Sequence, residues 1–367
     1  MRKDLVEADA YRRSRLVDAL VRGAGPWPGD DVRRGSVAVG GIALALLLVA
    51  GTAVRALLWP GATPWDGAPG LVIVAETGER FLVAERDGPL QPVANLTSAQ
   101  LVLGAGLTPT ILPEEALAGR QRGPEVGIVG APQRLPTRSG LIESGWSACT
   151  ADGAGIAYAL AHDPAVVAAT GRGALVRVDG GPIWVVAMDA EERASRYRVP
   201  RGQPGEALLA RVGLPPVTEA VRVPAGWLDL FPPAGTLQQE TWVRARWSAP
   251  TLAPVAAPLC AQLVARSGGP SAVRLATLPP EATWTAPPAG IVSPAVDPGG
   301  GALVSSGGRR WIVDERALAD PIETASLAAL GFDADEPPVV PPAWLALLGA
   351  GVPLSRELAL QPVEQTG

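Results

Sequence analysis

Residues 302–313 read ALVSSGGRRWIV: a short apolar run, a Gly307-Gly308 turn, and a second run built on Trp311, Ile312 and Val313. Paired glycines between two such runs signal a β-hairpin, because glycine tolerates the positive φ that tight hairpin turns need. The same order stands at 174–186, ALVRVDGGPIWVV, and at 71–83, LVIVAETGERFLV, with turns at Gly180-Gly181 and Thr77-Gly78. A proline follows each hairpin (Pro92, Pro200, Pro321), and then a short apolar stretch ending on glycine, at 98–104, 206–213 and 326–331. Glycine suits the residue just past a helix, so each stretch reads as a short helix. Each copy closes on P-x-x-[W/A]-L, at Pro113/Ala116/Leu117, Pro224/Trp227/Leu228 and Pro341/Trp344/Leu345. A hairpin plus one helix is too small to bury its own apolar face, so the copies must pack on one another or on a shared core. Segments 241–247, 260–265 and 272–278 read as further strands that supply that core.

Upstream of the first copy, residues 35–54 read GSVAVGGIALALLLVAGTAV without a charge. About 20 residues at ~1.5 Å each match a hydrocarbon core of about 30 Å, so this stretch reads as a transmembrane helix. A buried core helix or a cleaved signal peptide fits less well, since a core helix is seldom apolar all round and no A-x-A-like site follows. Arg2, Lys3, Arg12, Arg13, Arg15, Arg22, Arg33 and Arg34 precede the span, whereas Arg55 alone follows closely. The positive-inside rule then places the N-terminus in the cytoplasm and everything beyond the span outside it. Leu5, Ala8, Leu16, Ala19 and Leu20 share one face of an N-terminal helix that could lie on the membrane or meet a partner. The run WPGATPWDGAP at 59–69 reads as a stiff linker.

The composition leaves little room for catalysis. Lys3 is the sole lysine, so no P-loop can form, because that motif needs a lysine to reach the β- and γ-phosphates. His162 is the sole histidine, without a G-x-S-x-G motif, and reads as a surface or turn residue. One histidine and two distant cysteines make no metal cluster. The acid pairs Glu114-Glu115, Glu191-Glu192 and Asp314-Glu315 read as solvated surface. A net charge of -5 and the lack of a basic stripe beyond the N-terminal segment argue against nucleic acid. Trp184, Trp227, Trp311 and Trp344 recur at matching places; packing within each copy explains this best, with an exposed binding face as the alternative. Asn95-Leu96-Thr97 matches a glycosylation acceptor by accident. Cys149 and Cys260 both lie beyond the span, where oxidation is permitted, and are expected to form one disulfide. A bridge between chains or two reduced thiols remain the alternatives.

Three stretches carry a resemblance: AYRRSRLVDAL at 10–20, LQPVANLTSAQLVLG at 90–104, and GIVGAP at 127–132, followed by Trp146 and Cys149. With them the chain resembles the EccB family, the single-span membrane component of type VII (ESX) secretion systems. Family members carry four repeat units, whereas three are found here, with a compressed stretch near 236–258. The resemblance implies a structural subunit that assembles with other membrane components of the complex, an FtsK-type ATPase among them, and that self-associates through its outer domain. Nucleotide hydrolysis has sometimes been attributed to the family, and an envelope-binding module working outside a complex is a further alternative.

The expected fold class is α+β: one transmembrane helix plus an extracytoplasmic domain of strand-hairpin/helix repeats around a central β core. The expected segments are a cytoplasmic helix and basic stretch (1–34), the span (35–58), a linker (59–70), repeat 1 (71–135), a core segment (136–173), repeat 2 (174–238), core strands (239–300), and repeat 3 with the C-terminal tail (301–367). No catalytic residue, metal or cofactor is expected. The protein is placed in the inner (plasma) membrane, in contact with the lipid bilayer.

Overall fold

The structure is a computed structural model describing residues 2–22, 48–49, 65–150, 155–160, 166–266, 269–282, 288, 290–332 and 337–363. The chain divides into two compact units, residues 1–65 and 66–367. In the first, Arg2–Arg22 forms a helix on which Tyr11, Leu16, Val17 and Leu20 are exposed. The span expected at 35–58 lies outside the described residues, except for Leu48 and Val49, which are helical. Among the described residues no helix is long and apolar enough to cross a membrane.

The second unit opens with β1 (Gly70–Val74), β2 (Arg80–Val83), β3 (Gln91–Pro92), a helix at Leu96–Leu103, and β4 (Thr110–Leu112). Strands β1 to β3 run antiparallel, and the helix carries the chain across so that β4 lies parallel to β1, in the order β3-β2-β1-β4. After β5 (Trp146–Thr150), β6 (Ile156–Leu160) and β7 (Val167–Ala168), the plan recurs. It does so with β8 (Arg172–Arg177), β9 (Ile183–Met188), β10 (Ala194–Arg198), a helix at Gln203–Arg211, and β11 (Val221–Arg222) parallel to β8. Strand β12 (Pro233–Thr236) joins β10, and β13 (Ala253–Pro254) pairs with β8. Then come β14 (Leu259–Arg266), β15 (Gly269–Thr277) and β16 (Val292–Val296). The third copy holds β17 (Ala302–Ser306), β18 (Arg309–Val313), β19 (Leu318–Ile322), a short helix at Thr324–Leu327, and β20 (Gly349–Ala350), in the order β17-β18-β19-β20. Here the returning chain meets β17 in a parallel bridge between Ser305 and Val339.

One backbone hydrogen bond fixes the correspondence among copies. Val126 N–H donates to Pro92 O at 2.9 Å, Leu237 N–H to Arg198 O at 2.7 Å, and Leu354 N–H to Pro321 O at 2.8 Å. Pro92, Arg198 and Pro321 also sit opposite Phe81, Trp184 and Trp311 in their ladders. Sequence reading paired Pro92 and Pro321 with Pro200. The structure corrects this, because β10 continues through Arg198 and Pro200 begins the turn toward the helix.

Strands from three parts of the chain build the central sheet, in the order β16-β6-β5-β14-β15-β7. Cys149 on β5 faces Cys260 on β14 and is joined to it by a disulfide, with Cα atoms 4.0 Å apart. The segment expected as a strand at 241–247 is a helical turn at Thr241–Arg244. The Thr241 hydroxyl accepts from Gln238 N–H at 2.7 Å, and this local bond favours a turn over a ladder.

Among the described residues three large apolar cores hold the unit, with a smaller cluster around Cys149, Cys260 and Ala276. Trp146, Tyr158, Trp227, Trp344 and Leu259 centre the largest, beneath the central sheet. Leu71, Leu82 and Leu101 of the first copy share a second core with Ile312, Leu327 and Leu354 of the third. The second copy keeps its own, around Val185, Leu209, Trp247 and Leu252. The first and last copies are thus mutually dependent although they stand at opposite ends of the unit's sequence.

Candidate functional site

His162 lies outside the described residues. Each acid pair is engaged in ion pairs or turns, and Asp314, expected as solvated surface, is instead fully buried, because its carboxylate closes a turn on backbone N–H groups and Arg316. Glu191 and Glu192 meet Arg246 and Arg274 at 3.1 and 2.7 Å, Glu114 faces Arg122 at 3.8 Å, and Asp314 binds Arg316 at 2.6 Å. Among the described residues no group of histidine, cysteine or acidic side chains could hold a metal ion.

The two motif stretches at 90–104 and 127–132 meet in a buried polar knot. Asn95 caps the helix Leu96–Leu103, its side chain accepting from Ser98 N–H at 2.9 Å, the usual work of a side-chain oxygen at a helix start. Its amide donates to Ile128 O at 2.8 Å. Ser98 Oγ accepts from Ile128 N–H at 2.9 Å, and Thr97 Oγ1 donates to Pro132 O at 2.6 Å. These residues are buried and hold one loop to one helix. Their polarity is structural, and buried Asn95 offers nothing to a glycosylating enzyme.

The four repeated tryptophans take two roles. Trp227 and Trp344 are fully buried, and Trp227 Nε1 donates to Ala148 O in the central sheet at 2.9 Å. Trp184 and Trp311, on the hairpins, are half-buried. The Arg196 guanidinium lies over the Trp184 ring, 5.3 Å from its centre. Trp311 instead lines an open cleft of about 440 Å3 with Ala319, Leu345, Ala346 and Leu348. A second cleft of about 720 Å3, with Arg309, Arg310, Glu323 and Thr324, opens on the same sheet. The third copy therefore carries two clefts on one sheet, which no sequence motif marks.

Two acids on this copy are buried. Asp314 accepts from Arg316 and Leu318 N–H groups at 3.0 and 3.1 Å. Asp320 accepts from Val352 N–H at 2.7 Å. Burial is the main cause that raises the Asp320 carboxyl to a pKa of about 6; nearby Asp314 adds to the rise, while the Val352 bond and Arg316 oppose it.

Comparison with known proteins adds the following. The family model described as type VII secretion system ESX-1, transport TM domain B, matches residues 1–253. ESX-2 secretion system ATPase EccB2 of Mycobacterium tuberculosis (strain H37Rv) is 32% identical over 226 residues, covering 55% of this chain and 43% of the relative. ESX-1 secretion system ATPase EccB1 of Mycolicibacterium smegmatis (strain MKD8) is 33% identical over 109 residues, covering 30% and 22%. The matched regions thus span less than half the length of these relatives. Among solved structures, a chain of the intact ESX-5 inner membrane complex aligns with a TM-score of 0.61 at 19% identity, covering 100% of this chain and 96% of that one. The EccB3 dimer from the ESX-3 core complex aligns at 0.60 and 19%, covering 80% and 100%. These likenesses establish a shared fold.

Proposed function

The chain belongs to the EccB family of type VII secretion membrane components, whose model matches residues 1–253, and on that premise we propose that it is a structural subunit of a type VII secretion membrane complex. The carrying observation is the extent of that match, which runs through the N-terminal helix, the apolar stretch and two of the three repeated sheets. In this reading 1–34 is cytoplasmic, 35–58 spans the inner membrane once, and 59–70 links the span to the outer domain. Residues 71–135, 174–238 and 301–367 are repeat units, and 136–173 and 239–300 supply the core between them. Its partners are the other membrane components of the complex, an FtsK-type ATPase, the lipid bilayer, and further copies of itself.

No catalytic role is assigned. The relatives' names carry the word ATPase, which is what favours nucleotide hydrolysis as a second reading. Against it stand the single lysine and the lack of a P-loop in the sequence. Affinity purification of the tagged full chain from membranes in mild detergent tests the leading reading. Co-purification of an FtsK-type ATPase and polytopic membrane proteins supports it. A lone protein that sediments with cell wall defeats it. ATP turnover by the purified chain alone, in proportion to its concentration and free of a contaminating ATPase, would overturn the non-enzymatic assignment. A reporter active only outside the membrane should work when fused after residue 70 and stay silent when fused before Arg33.

A further inference from the structure

The three repeated sheets can be compared position by position, and at one place the third departs from the other two. In the first copy Phe81 carries the Arg122 guanidinium over its ring, 5.2 Å from the centre, and Arg122 faces Glu114 at 3.8 Å. In the second, Arg196 covers Trp184 at 5.3 Å and is bound by Asp229 at 2.6 Å. Both of these hairpin aromatics are therefore roofed by an arginine–carboxylate pair. A cation over an aromatic face is an attractive arrangement, and the carboxylate holds the cation in place.

The ladders identify the equivalent residues around Trp311. Arg196 pairs with Val186, two beyond Trp184, and Ala319 pairs with Val313, two beyond Trp311, so Ala319 stands where Arg196 does. Arg122 is bridged to Leu90, and Ala350 pairs with Ala319 in the corresponding parallel contact, so Ala350 stands where Arg122 does. Counted from the closing prolines Pro113, Pro224 and Pro341, Pro342 replaces Glu114 and Ala346 replaces Asp229. Both arginine positions and both carboxylate positions have become alanine or proline. All four residues line the cleft of about 440 Å3 over Trp311. Trp311 Nε1 is already spent on Ser306 O at 3.2 Å, so the indole offers an apolar face. Exposed Arg309 stands at the rim, without an ion pair among the described residues.

We propose that this cleft is a docking site for an extended segment of another polypeptide, which inserts an aliphatic or aromatic side chain against Trp311 and sets a carboxylate beside Arg309. The missing internal roof leaves an apolar floor, which selects an apolar side chain. The unmatched guanidinium at the rim repels a basic segment and favours an acidic one. A sugar fits less well, because Ser306 and Arg309 are the only polar side chains of the lining. The site does not depend on membership in a secretion complex, so it can fail while the proposed function stands.

The test is fluorescence anisotropy with the full chain in lipid nanodiscs and a fluorescein-labelled Gly-Ser-Asp-Leu-Pro-Gly amide as probe. Saturable binding is expected, weakened at least about tenfold when alanine replaces leucine or lysine replaces aspartate in the probe. Ala319→Arg combined with Ala346→Asp rebuilds the roof of the second copy and should abolish binding. If that double variant fails to fold, Arg309→Glu decides instead, because it alters an exposed side chain: the aspartate probe should weaken and the lysine probe should gain. Equal binding of all three probes, no binding up to about 1 mM, or binding unchanged by these substitutions would overturn the proposal. A lower oligomeric mass in the double variant than in the parent would assign the cleft to a second copy of this chain and overturn it too.

Discussion

Asn95 Nδ2 donates to the Ile128 carbonyl at 2.8 Å, across 33 positions of chain, while its Oδ1 accepts from Ser98 N–H at 2.9 Å. One side chain thus starts a helix and anchors a distant loop. Replacing Asn95 by alanine removes the cap, worth about 1 kcal/mol, and leaves the buried Ser98 hydroxyl without the acceptor it now holds at 2.7 Å, at about 1–3 kcal/mol, while the Ile128 carbonyl keeps Ala131 N–H at 3.1 Å. Urea denaturation should show a loss of about 2–4 kcal/mol. Asn95→Asp should lie between, since it keeps the cap and loses the donor. A variant as stable as the parent would remove the structural role given to this motif.

The fold was largely legible in the sequence where residues act locally. Glycine turns between short apolar runs marked the hairpins, and P-x-x-[W/A]-L marked each closing turn, because backbone conformation there depends on adjacent residues. What escaped was set by pairing between distant strands. Whether Pro200 or Arg198 matches Pro321 depends on ladder register, and the turn at Thr241–Arg244 depends on a hydroxyl finding Gln238 N–H. The cleft over Trp311 was invisible for the same reason. Ala319, Ala346 and Ala350 are unremarkable in sequence and acquire meaning only beside Arg196, Asp229 and Arg122.

The tryptophan assignments can be separated by measurement. Trp227→Ala and Trp344→Ala should each cost about 3–5 kcal/mol, as expected for a large buried side chain. Trp311→Ala, at a half-buried position, should cost distinctly less. Trp227→Phe should be costlier than Trp344→Phe by about 1 kcal/mol, because only the former gives up an indole hydrogen bond, the one to the Ala148 carbonyl at 2.9 Å. Equal losses in the two phenylalanine variants would show that this bond adds nothing measurable.

The Cys149–Cys260 pair spans 111 positions and ties two neighbouring strands of the central sheet. A closed loop of that length lowers the entropy of the unfolded chain enough to stabilise the fold by about 4–5 kcal/mol in the chain-entropy model. Replacing both cysteines by serine should therefore lower the denaturation midpoint sharply. Electrophoresis of freshly alkylated protein from the cell decides the native state. An oxidised monomer that slows on reduction is expected. A reducible dimer, or two thiols that alkylate without reductant, would exclude an intramolecular bridge in the cell.

Asp320 gives the second unit, residues 66–367, a pH dependence of defined sign. Its carboxyl is raised to about 6 in the fold, chiefly by burial, against an unfolded value of about 4. Between those values the native state binds more protons than the unfolded chain, so this group's contribution to stability falls as pH rises. The penalty is complete above pH 6, at up to about 3 kcal/mol, and is absent below pH 4. Asp314 and Arg316 also face Asp320 and act in opposite directions, and both are retained in Asp320→Asn. That variant cannot ionise at this site, and its oxygen can still accept from Val352 N–H. Denaturation of both proteins at several pH values between 4 and 7.5 should show the variant gaining on the parent as pH rises, with most of the change between pH 4 and 6. Taking the difference between the two cancels the titration of the other carboxylates. A difference that stays flat across this range, or that grows in the acid direction, would mean that Asp320 is charged in the fold at ordinary acid pH.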